Sequence, residues 1–270
     1  MDPEDARILT IVISRLNRLI ECTDDVVLGA VDDPVPASPK SQAALSDLDD
    51  AYGYIRMVMA SAEDPLRTIR MIAKTGPLPM YALYTLLRAA AEALVRVRHL
   101  VDSNITEVQR LARGMNERLD NLEEQRKVAA DQQAHYEERV AFLEAKATAN
   151  GIEIRRARRR DGAVGKVIGF NSAISTDFDL FSTYLDDGST IYRVLCGHVH
   201  SKPWVQMQKS ASKPSPDPKV LLVNPALRIR TFAYLLDVVL DLYQECVGYW
   251  LILAGYPPKL FELALGTSGA

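Results

Sequence analysis

The sequence predicts an all-α protein, an up-and-down helical bundle with one long helix that forms a coiled-coil-like hairpin. Apolar residues recur at steps of three and four over most of the chain, which is the period of an amphipathic helix. Proline and glycine concentrate in a few places, chiefly 34–39, 76–77 and 201–225, and so separate long periodic segments. One segment, 104–149, keeps the helical spacing for about 46 residues without a break.

The N-terminal part, residues 1–75, is predicted to form helices that pack on the bundle. After a proline-containing loop, helices are expected over 40–61 and 64–74. Pro65 suits the first turn of the second of these, where its missing N–H costs no hydrogen bond. A glycine and a proline then end this part, and residues 76–270 are expected to form the main helical domain.

The next predicted helix, 78–102, is nearly all apolar until Arg96. Arg88 and Glu92 lie four residues apart in it and therefore on one face. A buried arginine needs a partner, because an unpaired buried charge is very costly. The two residues either form an ion pair within or between helices, or are polar groups that brace an active site.

The segment 104–149 is the longest predicted helix and would span about 69 Å at 1.5 Å per residue. Its seam of apolar positions is interrupted by Arg126 and Gln133, which predicts a kink or a polar contact with another helix. One globular core does not need a helix of this length. We therefore expect part of it to meet a partner subunit in a homodimer or another homo-oligomer.

Two basic segments follow. The first is a run of arginines, which forms either a solvated loop or a contact to phosphate oxygens, because guanidinium groups match phosphate geometry. Its members are Arg155, Arg156, Arg158, Arg159 and Arg160. The second, 201–225, contains five prolines and four lysines and is predicted to be a long, mobile, mildly basic loop.

The segment 191–201 carries the chemistry, because it places an arginine, a thiol and two of the chain's four histidines within an apolar run. On an intact helix Arg193 and His200 are seven residues apart and lie on one face, with Cys196 between them. His198 points away from Arg193. An arginine can neutralise the developing charge of a phosphodiester, and a histidine can move a proton at neutral pH.

Other interpretations of this segment stay open. The arginine and the histidine can instead form a satisfied core network, with Tyr192 or Asp179 as partners. Helical spacing does not bring Cys196, His198 and His200 together, so neither a zinc site nor any other metal or cofactor is expected. A small-molecule site within the bundle would be lined by Tyr81, Tyr84, Trp204 and Trp250.

Composition limits the class of protein. The formal net charge is −3 and the pI about 5.9, so no whole-chain attraction to nucleic acid or to an anionic membrane follows. Three scattered cysteines and an acidic N-terminus without an apolar core indicate a cytoplasmic protein. The most apolar segment, 232–253, carries acidic residues at four-residue steps, which predicts a buried helix rather than a membrane span.

The residues Tyr-Arg-Val-Leu-Cys-Gly-His-Val-His at 192–200 resemble the Arg-x(4–6)-His signature of HEPN-superfamily helical proteins. They are most similar to a branch of uncharacterised bacterial proteins with a Tyr-Arg-x-x-Ser-x-x-x-His segment, in which a serine stands where this chain has Cys196. The segment 86–92 likewise resembles that branch's Arg-x-x-x-Glu helix. The resemblance covers roughly residues 80–255.

The resemblance implies a metal-independent ribonuclease site, commonly formed across a dimer. Arg193 would bind phosphate and His200 would act as acid and base, with His198 as the alternative histidine. Arg88, Glu92 and Tyr192 would support the site. The arginine run and the segment 201–225 would engage RNA. The expected function is therefore an RNA endonuclease with a role in phage defence or as a toxin, and the alternative is a non-catalytic dimerisation or regulatory module.

Overall fold

The computed structural model describes residues 2–24, 34–43, 47–75, 78–128, 133–158, 163–207, 210–213, 222–225 and 228–257. The chain is mainly helical within these ranges, which confirms the predicted all-α class. The helices are α1 Pro3–Cys22, α2 Pro39–Ala43, α3 Asp49–Thr75, α4 Met80–Val101, α5 Glu107–Val128, α6 Gln133–Ala149, α7 Asp177–Tyr184, α8 Gly188–Val199, α9 Pro203–Met207 and α10 Ile229–Leu253. The strands are β1 Ile154–Arg156, β2 Val167–Phe170, β3 Ser210–Lys213 and β4 Leu222–Pro225.

Helix α4 occupies the centre of the main core. It packs against α3, α5, α7, α8 and α10. Most of its apolar side chains between Leu83 and Val101 are fully buried, whereas Ala89 is exposed and Leu86 and Ala93 are partly buried. This agrees with the nearly continuous apolar sequence of 78–102. The same core includes apolar residues of α1, α3 and α10, so the N-terminal helices pack on the helices that follow.

Helix α3 corrects the prediction of two helices, over 40–61 and 64–74. The chain instead forms the short α2 and then one helix, Asp49–Thr75, with Pro65 in its interior. A proline there removes the hydrogen bond to the carbonyl four residues earlier. That carbonyl belongs to Ser61, which is exposed, so water can satisfy it. Burial of the apolar face of α3 against α4 offsets this loss and keeps the helix continuous.

The predicted single helix over 104–149 is wrong, because the chain forms two helices there. The hydroxyl of Tyr136 on α6 donates to the carboxylate of Glu123 on α5. The guanidinium of Arg126 lies 5.1 Å from the Tyr136 ring centre. Thirteen residues on one straight helix would span about 20 Å, so this contact requires the chain to fold back.

Helices α5 and α6 therefore form an antiparallel hairpin, with Arg118 of α5 and Lys146 of α6 both bound to Asp50. The interruption that Arg126 makes in the apolar seam marks the polar contact between the two helices. The regular spacing of three and four residues reports a continuous apolar face, but it does not distinguish one long helix from two that pack on each other.

A second, smaller core lies between this hairpin and strands β1 and β2. It contains Leu119, Leu143 and Phe170 among other apolar residues. The two strands pair antiparallel, with Ile154 opposite Phe170. Asn116 of α5 joins the strands to the hairpin, because its amide accepts from the Phe170 N–H at 2.7 Å and donates to the Phe170 carbonyl at 3.2 Å.

Two arginines of α5 satisfy the C-terminal end of α4. Arg110 is only 2% exposed and donates to the carbonyl groups of Leu100 and Asp102. Arg113 donates to the carbonyl of His99 at 2.6 Å. The last carbonyl groups of a helix have no partner within the helix and carry a partial negative charge. The arginines therefore bind the end of α4 and fix the direction in which α5 leaves it.

The C-terminal region contains more structure than the sequence indicates. Within 201–225, predicted to be a loop, the described residues form α9 and the β3–β4 pair, in which Ser210 lies opposite Pro225. Mobility of this segment stays a prediction, as does a domain boundary at residue 75. The predicted final helix over 226–254 is confirmed as α10, whereas the predicted helix over 257–265 lies almost wholly outside the described residues.

The crossing of α3 and α5 gives a test of the packing. A Cβ atom built on Gly114 of α5 would lie 2.8 Å from the Cβ of Ala51, whereas one on Gly53 of α3 would meet no atom within 4 Å. We expect Gly114→Val to lower the free energy of unfolding by about 1–3 kcal/mol, because the helices must separate. Gly53→Ala, the matched control, should raise it by up to about 1 kcal/mol. Urea denaturation followed by circular dichroism measures both, and an unchanged stability for Gly114→Val would contradict the close crossing.

Candidate functional site

Helix α8 begins and ends in tight turns that fix its position on α7. Asp187, with φ of 52°, precedes it, and a Cβ on Gly188 would lie 1.9 Å from the Phe181 carbonyl oxygen. At the other end the Ser201 N–H donates to the His198 carbonyl at 3.2 Å and the Lys202 N–H to the Gly197 carbonyl at 2.8 Å. This is a Schellman motif, with Ser201 left-handed at φ of 50°.

Gly197 lets helix α9 pack across α8. A Cβ on it would lie 2.3 Å from the Val205 side chain and 3.1 Å from the Trp204 ring. The close approach holds α9 beside the last turn of α8. His200, the C-cap residue of α8, therefore stands at a fixed end of the helix with its side chain exposed.

The centre of the candidate site is a contact between α4 and α8. The Nη1 atom of Arg88 lies 3.2 Å from the Nε2 atom of His200. Arg88 also donates from Nε to the carboxylate of Glu92 at 2.6 Å. The Arg88 side chain is 16% exposed and that of Glu92 26%, so this pair lies at the rim of the core rather than inside it.

The protonation states in this contact follow from its chemistry. Burial lowers the pKa of Arg88, but the hydrogen bond and the charge of Glu92 raise it more, so the net pKa lies above its usual value. A guanidinium can only donate. The Nε2 atom of His200 must therefore accept, which requires a neutral imidazole with its proton on Nδ1.

Tyr192 and Cys196 form the wall of this site on α8. The Arg88 guanidinium lies 5.9 Å from the Tyr192 ring centre. Burial, followed by a hydrogen bond with Cys196, raises the pKa of the Tyr192 phenol. Tyr192, Cys196 and His200 follow each other at four-residue steps, so one face of α8 presents a phenol, a thiol and an imidazole to Arg88.

Arg193 occupies a different position from the one that the helical spacing suggests. Its guanidinium is exposed and lies 5.4 Å from the ring centre of Phe178 on α7. Among the hydrogen bonds and ion pairs of the described residues, none joins Arg193 to His200. The arginine that meets His200 comes from α4 instead. The sequence signals for this were the Arg88/Glu92 spacing and the histidine at the helix end, but their proximity depends on how α4 and α8 pack.

His198 lies inside the core. It is 3% exposed, and its ring stacks on Tyr84 of α4 with centres 3.6 Å apart and planes within 4°. An aromatic stack of this kind holds α8 against α4. The sequence left open which histidine could act in the site. His198 packs in the core, whereas His200 faces solvent.

The predicted supporting segments lie elsewhere. Arg156 is bound to Glu144 of α6 at 2.6 Å and belongs to β1, beside the second core. Arg155 and Arg158 are exposed, and Arg159 and Arg160 lie outside the described residues. Among the aromatic residues suggested for a small-molecule site, Tyr84 stacks on His198, whereas Trp250 packs on Tyr52.

Two further polar clusters were missed by the sequence analysis. Arg96 of α4 binds Glu117 of α5 and Asp177 of α7, each at 2.8 Å. His99, also of α4, has its Nδ1 atom 2.9 Å from the Tyr184 hydroxyl. Burial, followed by the charge of Arg113, lowers the pKa of His99 to about 4.

Comparisons of the chain with protein-family models, curated proteins and solved structures found no match. In the described ranges, no three or more His, Cys, Asp or Glu side chains are grouped so that they could hold a metal ion. None of the helices within those ranges has the length and hydropathy needed to cross a membrane.

The two neighbouring histidines give a test of the site's geometry. His198→Ala should lower the free energy of unfolding by about 2–4 kcal/mol, because it leaves a cavity against Tyr84. His200→Ala should change it by no more than about 0.5 kcal/mol, because the side chain is exposed. Urea denaturation of both variants checks the difference. Equal losses of stability would contradict the assignment of one buried and one exposed histidine.

A second test concerns His99. Its pKa falls from 6.5 to about 4 on folding, so between these values the unfolded chain binds more protons and stability falls as the pH is lowered. We expect His99→Phe to reduce this loss by roughly 1 kcal/mol per pH unit between pH 6 and pH 4.5. Urea denaturation at several pH values measures the slope.

Two features ensure that the difference in slope between the parent and His99→Phe reports on His99. Burial raises the pKa of Glu117, which acts in the opposite sense just above pH 4.5 and is common to parent and variant. His135 is an exposed histidine, and His135→Ala should leave the slope unchanged. An identical slope for the parent and His99→Phe would contradict the burial of His99 in its neutral form.

Proposed function

We propose that the chain is a metal-independent RNA endonuclease of the HEPN type, with its reactive centre at Arg88 and His200. The observation that carries the proposal is the exposed imidazole of His200, 3.2 Å from a guanidinium held at the rim of the core. A phosphodiester needs a cation for its charge and a group that moves a proton. The imidazole of His200 and the guanidinium of Arg88 meet at the surface, and the carboxylate of Glu92 binds the same guanidinium.

The contact between these groups also suggests how substrate would activate the site. Arg88 occupies the Nε2 lone pair of His200 when no substrate is present. A phosphate offers the guanidinium two charged acceptors and would draw it away from the neutral imidazole. The Nε2 atom is then free to take a proton, so binding of the phosphate and release of the base are one event.

The reaction itself follows from RNA chemistry. His200 takes the proton of a ribose 2′-hydroxyl, the 2′-oxygen attacks the neighbouring phosphorus, and the bond from phosphorus to the 5′-oxygen breaks. The protonated His200 then gives this proton to the 5′-oxygen, directly or through water, and the products carry a 2′,3′-cyclic phosphate and a 5′-hydroxyl. Arg88 stabilises the charge of the transition state. Arg193, exposed on the same helix, is proposed to bind an adjacent phosphate rather than the reacting one.

The other predicted roles belong to this proposal. Tyr192 would support Arg88 through its ring, and the exposed Arg155 and Arg158 would contact RNA at a distance from the reacting bond. A homodimer, in which the α5–α6 hairpin meets its counterpart, would extend the RNA surface. A cytoplasmic location and a role in phage defence or as a toxin complete the hypothesis.

A non-catalytic dimerisation or regulatory module is the second candidate. The observation that favours it is that the polar groups of the site already have partners within the chain. Arg88 contacts Glu92, Tyr192 and His200, and Arg193 contacts Phe178. Such a network can serve to hold α8 on α4 without any chemistry.

The decisive experiment is cleavage of single-stranded RNA by the purified chain in excess EDTA. The parent should give products with 5′-hydroxyl ends. His200→Ala and Arg88→Gln should each reduce the rate by about 100-fold or more, the range for losing a general acid–base group or a charge-stabilising donor. His135→Ala is the matched control, an exposed histidine on α6 whose loss should leave the rate unchanged.

Stability measurements separate the two candidates. His200→Ala should lose cleavage while its free energy of unfolding stays within about 0.5 kcal/mol of the parent. A parent chain that does not cut RNA, together with a large loss of stability in Arg88→Gln, would reject the nuclease and support the module. Cleavage that survives in His200→Ala would reject this reactive centre.

A further inference from the structure

A groove of about 730 Å³ runs between α10 and the turn that joins α7 to α8. It lies along a different face of α10 from the one that meets the core. Its polar and aromatic walls include Tyr184, Asp186, Tyr234, Asp241, Glu245 and Tyr249. This volume suits a small organic molecule.

The charges of the groove have one sign. Among its described lining residues are three carboxylates, those of Asp186, Asp241 and Glu245, and no lysine or arginine. Two arginines approach from behind, because Arg15 binds Asp241 at 2.5 Å and Arg98 binds Glu245 at 3.1 Å.

This compensation is incomplete. Arg15 is shared with a fourth carboxylate, that of Asp237, at 2.7 Å. Asp186 on the opposite wall is exposed and takes part in no ion pair of the described residues. Arg98 is shared in the same way with Asp102 at 3.8 Å. Among the described residues, the carboxylates that line or back the groove therefore outnumber the guanidinium groups, and the groove keeps a net negative charge that favours a cation.

The aromatic residues of the groove suit the same ligand. The guanidinium of Arg98 already lies 4.2 Å from the Tyr249 ring centre and 5.1 Å from that of Tyr184, so both rings accept a cation on the side that faces the core. Tyr234 is 57% exposed and has no such neighbour among the ring contacts of the described residues. Tyrosine faces attract ammonium groups, including alkylated ones.

Gly248 is an independent indication that the groove accommodates a ligand. It lies inside α10, where a glycine costs about 1 kcal/mol relative to alanine. A Cβ atom built on it would meet no atom within 4 Å. No close approach of another element therefore requires a glycine at this position, and the room that it leaves belongs to the groove.

We propose that this groove binds an aliphatic polyamine. Asp241 and Glu245 are one helical turn apart, about 6 Å along the axis, which is close to the separation of ammonium groups joined by four carbons. The methylene chain would lie against Val238, Leu242 and Ile252, and Asp186 would receive an ammonium group from the opposite wall. The proposal is independent of the nuclease, because the groove adjoins the turn before α8, whereas His200 is the residue that ends α8.

Isothermal titration of spermidine into the RNA-free chain at low ionic strength tests the proposal. We expect saturable binding of one molecule per chain that weakens as salt is raised. Gly248→Met should weaken binding at least tenfold, because its side chain fills the groove without displacing a protein atom. Asp186→Asn should weaken it several-fold by removing the carboxylate that has no ion-pair partner.

Matched variants separate the site from general effects. Gly248→Ala changes the same residue but leaves most of the groove open, so it should bind spermidine within about twofold of the parent while the chain becomes more stable. Asp64→Asn removes one exposed charge from α3 and should leave binding unchanged. The proposal is overturned if spermidine shows no saturable binding, or if Gly248→Met and Asp186→Asn both bind like the parent.

Discussion

The packing of five helices against α4 is the constraint on which the structure depends. These helices leave a narrow stripe of α4 exposed, which includes Ala82, Thr85 and Ala89. The charged groups of α4 lie beside the neighbouring helices and find partners there, because an unpaired buried charge is very costly. Arg88 contacts α8, Arg96 lies between α5 and α7, and Arg98 lies between α7 and α10. The three arginines thus mark three helix interfaces, and each is paired with a carboxylate.

Two of these interfaces reach solvent and carry the two proposals. At the first, Arg88 is held by Glu92 and meets an exposed imidazole, which gives a cation and a proton acceptor at one point. At the second, Arg98 lies between two tyrosine rings beneath a groove that keeps a net negative charge. The third, around Arg96, holds the buried Glu117 and is structural. Burial of one helix therefore determines where polar chemistry can occur on this surface.

Much of the candidate site could be predicted from local spacing, but the partner of His200 could not. The four-residue step from Arg88 to Glu92 fixes their ion pair, because residues four apart meet on a helix. Helical periodicity also places Arg193 and His200, seven residues apart, on one face. The guanidinium of Arg193 nevertheless packs on the Phe178 ring of the neighbouring helix. The partner of a long side chain depends on which other helices pack nearby. The spacing of residues along one helix does not reveal that packing.

The sequence by itself determined the helical class, the buried α4 and the existence of most helices, because apolar periodicity and the positions of glycine and proline act locally. Only the tertiary structure decided that Pro65 remains inside α3, that 104–149 folds back on itself, and that His198 is buried while His200 is exposed. Each of these depends on packing between distant segments. Burial against α4 outweighs one lost backbone hydrogen bond, and a continuous apolar face fits either one long helix or a hairpin of two.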